Sequence, residues 1–292
     1  MPERLESSAD EIIIAKPEAY LSKLTSIQQD GIDNLHIVAD FDRTLTAFRT
    51  EANDARINTT PALLWQVMGQ EYIRRAAELY AKYRPIEVNP EVTLEEKGKH
   101  MDTWTRSWQH NCVELGLTRE KIQRAVAANI LVPRKGLRQF MDIAQRSNIP
   151  VLIFSAGVGD IIVEYLRQNG IHGPNLHVIS NFARFDEMGT CIGWNEHVVT
   201  SMTKNETHTL HQSWSKGLTR RQNVLLLGDH PSDVHMADGA KHKTVLSVGF
   251  LNGDRVHMDA HKNAFDAVVV EDVGLDLPIE ILESCGSKPT ER

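Results

Sequence analysis

Leu35-His36-Ile37-Val38-Ala39-Asp40-Phe41-Asp42-Arg43-Thr44-Leu45-Thr46 is the stretch on which the reading of this chain turns. A largely apolar run at 35–39 has the length of a buried strand and leads into two carboxylates spaced two apart. In a parallel sheet the carboxyl end of a strand is where ligands bind. Alternate residues of an extended segment share a face, so Asp40 and Asp42 point to a common site, where their repulsion needs a cation or a proton. A metal ion is the simplest remedy. An isolated Asp-x-Asp is most often an exposed turn, and only its position after a buried run gives this one weight.

Further short apolar runs lie at 151–154, 178–179, 224–227, 245–248 and 267–270, with helical stretches between them. This alternation predicts an α/β fold with a doubly wound parallel sheet, helices covering both faces. Residues 159–170 read as one such helix, with Gly170 as its stop. The interval 48–133 contains no convincing strand and shows helical periodicity over 61–83, 93–115 and 118–129, the first begun by Thr59-Thr60-Pro61. It predicts an inserted helical subdomain, dividing the chain into a core of 1–47 and 134–292 and an insert of 48–133. Residues 182–195, rich in glycine and turn formers, predict a small hairpin.

Two further strand ends carry polar groups. Phe154-Ser155-Ala156-Gly157 offers a hydroxyl and backbone N–H groups ahead of a helix, where phosphate oxygens can be held. Gly228-Asp229-His230-Pro231-Ser232-Asp233 brings a second pair of carboxylates after the run at 224–227. A serine before a helix is commonly a cap and an acidic pair commonly a turn, but three such strand ends together favour a site. Hard oxygen ligands at this density fit magnesium.

Composition bounds the partners. With 39 acidic and 32 basic side chains the formal net charge is −7, so there is no global positive field and a nucleic acid polymer is disfavoured. Cys112, Cys191 and Cys285 follow no metal-ligand spacing and read as free thiols of a reducing compartment. The start, Met1-Pro2-Glu3-Arg4-Leu5-Glu6, is polar and acidic rather than signal-like, and the apolar runs are too short to span a bilayer. A cytoplasmic protein with no membrane partner is expected. The oligomeric state is left open, a monomer included.

Asp40-x-Asp42-x-Thr44, the strand-end Ser155, a lysine, and Gly228-Asp229-x-x-x-Asp233, in that order, resemble the motif set of the haloacid dehalogenase superfamily. More narrowly, the chain resembles the cytosolic 5'-nucleotidase III (pyrimidine 5'-nucleotidase) family from about residue 35 to near the C-terminus. The phrases that carry this are Thr44-Leu45-Thr46, Ile86-Glu87-Val88, Glu95-Glu96-Lys97, Ile149-Pro150-Val151, Phe154-Ser155-Ala156-Gly157, Val178-Ile179-Ser180-Asn181-Phe182, Phe185-Asp186-Glu187 and Met236-Ala237-Asp238-Gly239.

The resemblance implies a magnesium-dependent 5'-nucleotidase with a helical C1-type cap, hydrolysing a nucleoside 5'-monophosphate through an aspartyl-phosphate. Asp40 would be the nucleophile and Asp42 the acid that protonates the leaving oxygen and then activates water. Mg2+ would be held by an Asp40 oxygen, the backbone carbonyl of Asp42 and Asp229, with Asp233 as an anchor behind them. Ser155, the Ala156 backbone and Lys204 would hold phosphate, and Glu87 would hydrogen-bond the base. Phe48, Trp104 and Trp108 are candidates to stack on it, although Trp104 reads more readily as core of the insert. Pyrimidine monophosphates rank slightly ahead of 7-methylguanosine monophosphate as substrate.

Relatives carry a His-Asn pair where this chain has Thr59-Thr60, an aromatic where it has Thr105, and a serine near Trp108. These departures are expected to bear on base preference and to leave the phosphate chemistry untouched. The alternatives are another capped phosphatase of the superfamily acting on a different small phosphomonoester, and a non-catalytic phosphate-binding relative. Glu87 argues against the first, and the presence of Asp40, Asp42, Lys204 and Asp229 argues against the second.

Overall fold

The computed structural model describes residues 12–48, 59–89, 91–128, 131–209, 213–253, 255–271 and 273–286. The polar start of the chain and the last residue of the expected helix 118–129 lie outside them. A short strand, β1 (Ile12–Ile14), and helix α1 (Pro17–Asp30) precede β2 (Leu35–Asp40), every residue of which is buried. Helices α2 (Thr60–Leu63), α3 (Trp65–Met68), α4 (Gln70–Val88), α5 (Leu94–Glu114) and α6 (Arg119–Ala127) follow.

The chain returns through α7 (Leu137–Arg146), β3 (Val151–Val158), α8 (Gly159–Gln168) and β4 (Leu176–Asn181). A two-stranded hairpin, β5 (Ala183–Phe185) with β6 (Cys191–Trp194), comes next. The last elements are β7 (Asn223–Gly228), β8 (Thr244–Leu251), α9 (Met258–Ala264), β9 (Ala267–Val270) and α10 (Asp276–Gly286). Among the described residues the main sheet has seven strands in the order β1-β9-β8-β7-β2-β3-β4, all parallel except the antiparallel edge β1.

From β2 the chain winds outward through β3 and β4, then crosses back to place β7 on the other side of β2. That reversal opens a crevice at the carboxyl ends of β2 and β7, the place where open α/β sheets bind ligands. The period of two is visible in the packing. Ile37, Ala39, Val151, Ile153, Leu225 and Leu227 join one apolar cluster, and Val38, Leu152, Phe154, Val224 and Leu226 the other, on the opposite face.

The expected strands and the hairpin are present, each strand at most a few residues longer than its apolar run. Two differences have local causes. The stretch expected as one helix over 61–83 is three pieces, and the break before α4 falls at Gly69, which takes φ 84°, a left-handed conformation suited to glycine. The edge strand β1 was not anticipated, since three isoleucines make too short a run to stand out. Helix α5 begins with a reciprocal cap in which Glu96 N–H bonds the Thr93 hydroxyl and the Glu96 carboxylate returns to Thr93. Leu63, Tyr72, Cys112, Ile122 and Ala125 from the inserted helices belong to the same apolar cluster as Ile37 and Ile153.

Candidate active site

Three neighbouring strands deliver the site. β2 ends in Asp40, β7 in Gly228 just before Asp229, and β3 carries Ser155. The register of β3 against β4 shifts after Phe154, so the segment from Ser155 to Gly157 departs from regular pairing at the crevice. Lys204 reaches in from the segment before β7, its Nζ 2.7 Å from Asp40 Oδ1 and 2.7 Å from Asp233 Oδ1. The Asp233 side chain is fully buried, and its other oxygen accepts the N–H groups of Asp229 and His230, each at 3.0 Å. Asp233 therefore braces both the lysine and the loop that carries Asp229. A β-carbon on Gly228 would meet the Asp233 Cβ at 2.4 Å, so only glycine admits this brace.

Asp40, Asp229 and Asp233 place carboxylate oxygens within 4.8 Å of one another, a donor set of hard oxygens suited to a divalent cation. Burial pushes the Asp40 carboxyl up to about 7, with Lys204 opposing the rise and Asp233 adding to it. Asp229 is driven well above the ordinary carboxylate range by burial and by the charges of Asp40 and Asp233. Burial alone would discharge Lys204, but Asp233 and Asp40 outweigh it and raise its pKa. One lysine does not neutralise three carboxylates, and the surplus negative charge is what a cation would relieve.

Asp42 turns away from this cluster. Its Oδ1 accepts the Thr60 N–H at 2.9 Å and its Oδ2 the Thr60 hydroxyl at 3.1 Å. Burial raises the Asp42 carboxyl to about 6, and the two Thr60 bonds hold it back from going further. Thr60 thus touches the acid–base candidate directly, so the departure at Thr59-Thr60, expected to bear on base preference alone, lies against Asp42. The reason is tertiary. Thr60 opens α2, and its hydroxyl packs so closely over Gly157 that a β-carbon there would lie 2.0 Å from it.

Ser155 is buried, and its hydroxyl accepts the Gly157 N–H at 3.1 Å, leaving its proton to donate into the crevice. Glu87, near the end of α4, accepts the Ser201 hydroxyl at 2.7 Å and is paired with Arg84. Since Ser201 lies three residues before Lys204, this contact joins the inserted helices to the lysine segment. Trp104 stacks on Tyr83 at 5.9 Å between ring centroids, in the seam of α4 and α5. Trp108 donates to the Tyr72 hydroxyl at 2.6 Å and packs on Trp194. Phe48 lies beneath the Arg43 guanidinium, 5.4 Å from its ring centroid.

Besides the contact of Thr60 with Asp42, one further residue at the site has no signal in the sequence. Arg134 is 1% exposed and donates to the carbonyls of Arg43, Thr44 and Val273 and to Asn252 Oδ1, with its guanidinium over Phe250. It fastens the turn after Asp42 to the end of β8. Nothing in Val132-Pro133-Arg134-Lys135 distinguishes it from a surface arginine, because its partners are backbone carbonyls remote in sequence.

The family profile for pyrimidine 5'-nucleotidase (UMPH-1) matches residues 43–285. The chain belongs to the pyrimidine 5'-nucleotidase family. As a member of it, the enzyme is a 5'-nucleotidase, a phosphoric monoester hydrolase. It is 32% identical to the 7-methylguanosine phosphate-specific 5'-nucleotidase of Gallus gallus over 280 residues, covering 92% of this chain and 94% of that one. It is 30% identical to the Rattus norvegicus protein of the same name over 277 residues, 93% of this chain and 91% of that one. Among solved structures it is similar to cytosolic 5'-nucleotidase IIIB bound to cytidine, with a TM-score of 0.85, 27% identity and coverage of 95% and 94%. A haloacid dehalogenase family hydrolase from Salmonella enterica shares the fold, at a TM-score of 0.55 and 13% identity over 92% of this 5'-nucleotidase and 81% of that chain.

Proposed function

We propose that this 5'-nucleotidase hydrolyses pyrimidine and 7-methylguanosine 5'-monophosphates at the crevice between β2, β3 and β7. The observation that carries the reading is the placement of Lys204 between Asp40 and Asp233, with Ser155 on the adjacent strand. An attacking carboxylate and an incoming phosphate dianion then meet in the presence of fixed donors. Asp40 Oδ attacks phosphorus, and the nucleoside 5'-oxygen leaves with a proton from Asp42. Asp42 then takes a proton from water, the water oxygen bonds to phosphorus, and the Asp40–phosphorus bond breaks to release inorganic phosphate.

Lys204, the Ser155 hydroxyl and the Ala156 N–H hold the phosphate oxygens through both steps. Asp40, Asp229 and the Asp42 carbonyl would hold Mg2+, which supplies charge neutralisation of the phosphate, with Asp233 bracing Asp229. Thr60 keeps the Asp42 carboxyl aimed by two hydrogen bonds.

We assign residues 48–133 the role of a cap over a core of 1–47 and 134–292. Glu87 would read the base from that cap, exchanging its Ser201 contact for a base N–H. A cationic methylated guanine gains most from the negative Glu87, and cytosine and uracil use hydrogen bonds alone. The relatives named for 7-methylguanosine phosphate and the structural relative bound to cytidine support both substrates. The buried free thiols Cys112, Cys191 and Cys285 support a reducing, cytoplasmic setting. Among the described residues no helix is long and apolar enough to cross a membrane.

The test is phosphate release from cytidine, uridine, 7-methylguanosine and adenosine 5'-monophosphates with Mg2+. Higher kcat/KM on the first three than on the adenosine compound supports the reading; a clear preference for adenosine monophosphate rejects it.

A further inference from the structure

A second cluster of ligating side chains lies away from the carboxylate crevice. His36 at the start of β2, Glu206 in the segment after Lys204, and His242 in the loop before β8 converge on one point in the interior. Their side chains are 0%, 3% and 7% exposed. His36 Nε2 and His242 Nε2 each lie 3.2 Å from the same atom, Glu206 Oε1, and the two rings are 5.4 Å apart between centroids. His36 stands four residues before Asp40 on the strand, which places their backbones about 13 Å apart at the rise of an extended chain.

Hydrogen bonding alone accounts poorly for this arrangement. A charge-assisted bond to carboxylate settles at about 2.7–2.9 Å, shorter than either contact here. His242 Nε2 is buried and 3.2 Å from Glu206 Oε1, yet among the described residues neither it nor His242 Nδ1 makes a hydrogen bond of good geometry. The two nitrogen–oxygen separations of 3.2 Å do match the edge of a coordination tetrahedron. With metal–nitrogen and metal–oxygen bonds of about 2.0–2.1 Å, neighbouring ligand atoms lie about 3.3 Å apart.

We propose that His36, Glu206 and His242 bind a zinc ion, with water as the fourth ligand. Two imidazoles and one carboxylate suit a borderline ion such as zinc better than magnesium, which prefers an all-oxygen shell. Three stretches distant in sequence would be tied together. One of them carries Lys204, two residues before Glu206, and the Glu206 N–H already bonds the Asp238 carbonyl at 3.1 Å. Such an ion would hold the lysine segment against β2 and the loop before β8.

The experiment uses the untagged full-length protein in saturating Mg2+, so that the carboxylate crevice is occupied and does not take up zinc. After equilibration with zinc and removal of excess, metal analysis should find one zinc per chain. It should persist in Asp229→Asn and be lost in His36→Gln and His242→Gln, whose affinity should fall by more than the roughly 100-fold that loss of an outer partner costs. Cobalt(II) added to the parent protein should give the intense visible bands of a four-coordinate nitrogen–oxygen site, abolished by zinc, a readout that does not depend on how the variants fold. No retained zinc, no such bands, or zinc held equally well by His242→Gln would overturn the proposal.

Discussion

Thr60 donates both its backbone N–H and its hydroxyl to the Asp42 carboxylate, at 2.9 and 3.1 Å. A residue of α2 thus fixes the orientation of the carboxylate proposed to give and take the proton. Thr60→Ala keeps the backbone bond and loses the other. The turnover number should drop roughly tenfold or more, within the range that a well-positioned acid or base contributes. Thr60→Ser should retain most of the activity, and KM should move little in both. Equal turnover in Thr60→Ala and the parent would remove Thr60 from the proton path.

Glu87 and Ser201 make a corresponding prediction for the base. Glu87→Ala should lower kcat/KM on 7-methylguanosine and cytidine monophosphates by roughly 10- to 100-fold, the equivalent of one hydrogen bond to a charged group. Activity on a phosphomonoester without a base should be unchanged. Ser201→Ala removes the competitor for Glu87 Oε1 and should lower KM for the nucleotides. A Glu87→Ala enzyme equally impaired on the baseless ester would assign Glu87 to architecture instead.

Burial raises the folded-state pKa values of Asp40, to about 7, and of Asp229 above the unfolded value of about 3.9. For raised carboxyls the sign is fixed: their contribution to stability is full below the unfolded pKa and is lost as pH rises through the folded one. The metal-free protein should therefore lose stability between about pH 4 and about pH 7. A cation held by ionised carboxylates reverses that loss, so the Tm gain on adding Mg2+ should grow from about pH 5 to about pH 8. A gain that shrinks over that interval would contradict the carboxylate ligand set.

Arg134→Met retains bulk in a buried position but strands the carbonyls of Arg43, Thr44 and Val273. Hydrogen bonds from a charged donor are worth about 1.5–3 kcal/mol each, so a loss on the order of 3 kcal/mol is expected, seen as a Tm lower by several degrees. Turnover should fall as well, because the turn after Asp42 loses its fastening. An unchanged Tm would show that water replaces the guanidinium.

These residues differ in how far the chain alone discloses them. The strands were legible because each is a short apolar run, and a sheet buried on both faces leaves no other place for such runs. Asp40, Asp42, Ser155 and Asp229 were legible because they follow those runs directly. Thr60 and Arg134 were not, since each acts through groups far along the chain. His36 and His242 are illegible for the same reason: 206 positions separate them, and only the return of β7 to β2, with β8 beside β7, brings them to Glu206. The break of the first long insert helix was hidden because Gly69 in a helical pattern reads as a tolerated cost.

The central claim is that Asp40 carries the phosphoryl group. Its direct measurement is rapid acid quenching of the enzyme during turnover of 7-methylguanosine monophosphate, followed by peptide mass mapping. The account predicts one added phosphoryl group on Asp40, absent from an Asp40→Asn protein that folds as the parent does and releases no phosphate. A phosphoryl group on another residue, or phosphate release by Asp40→Asn at a rate near the parent's, would contradict it.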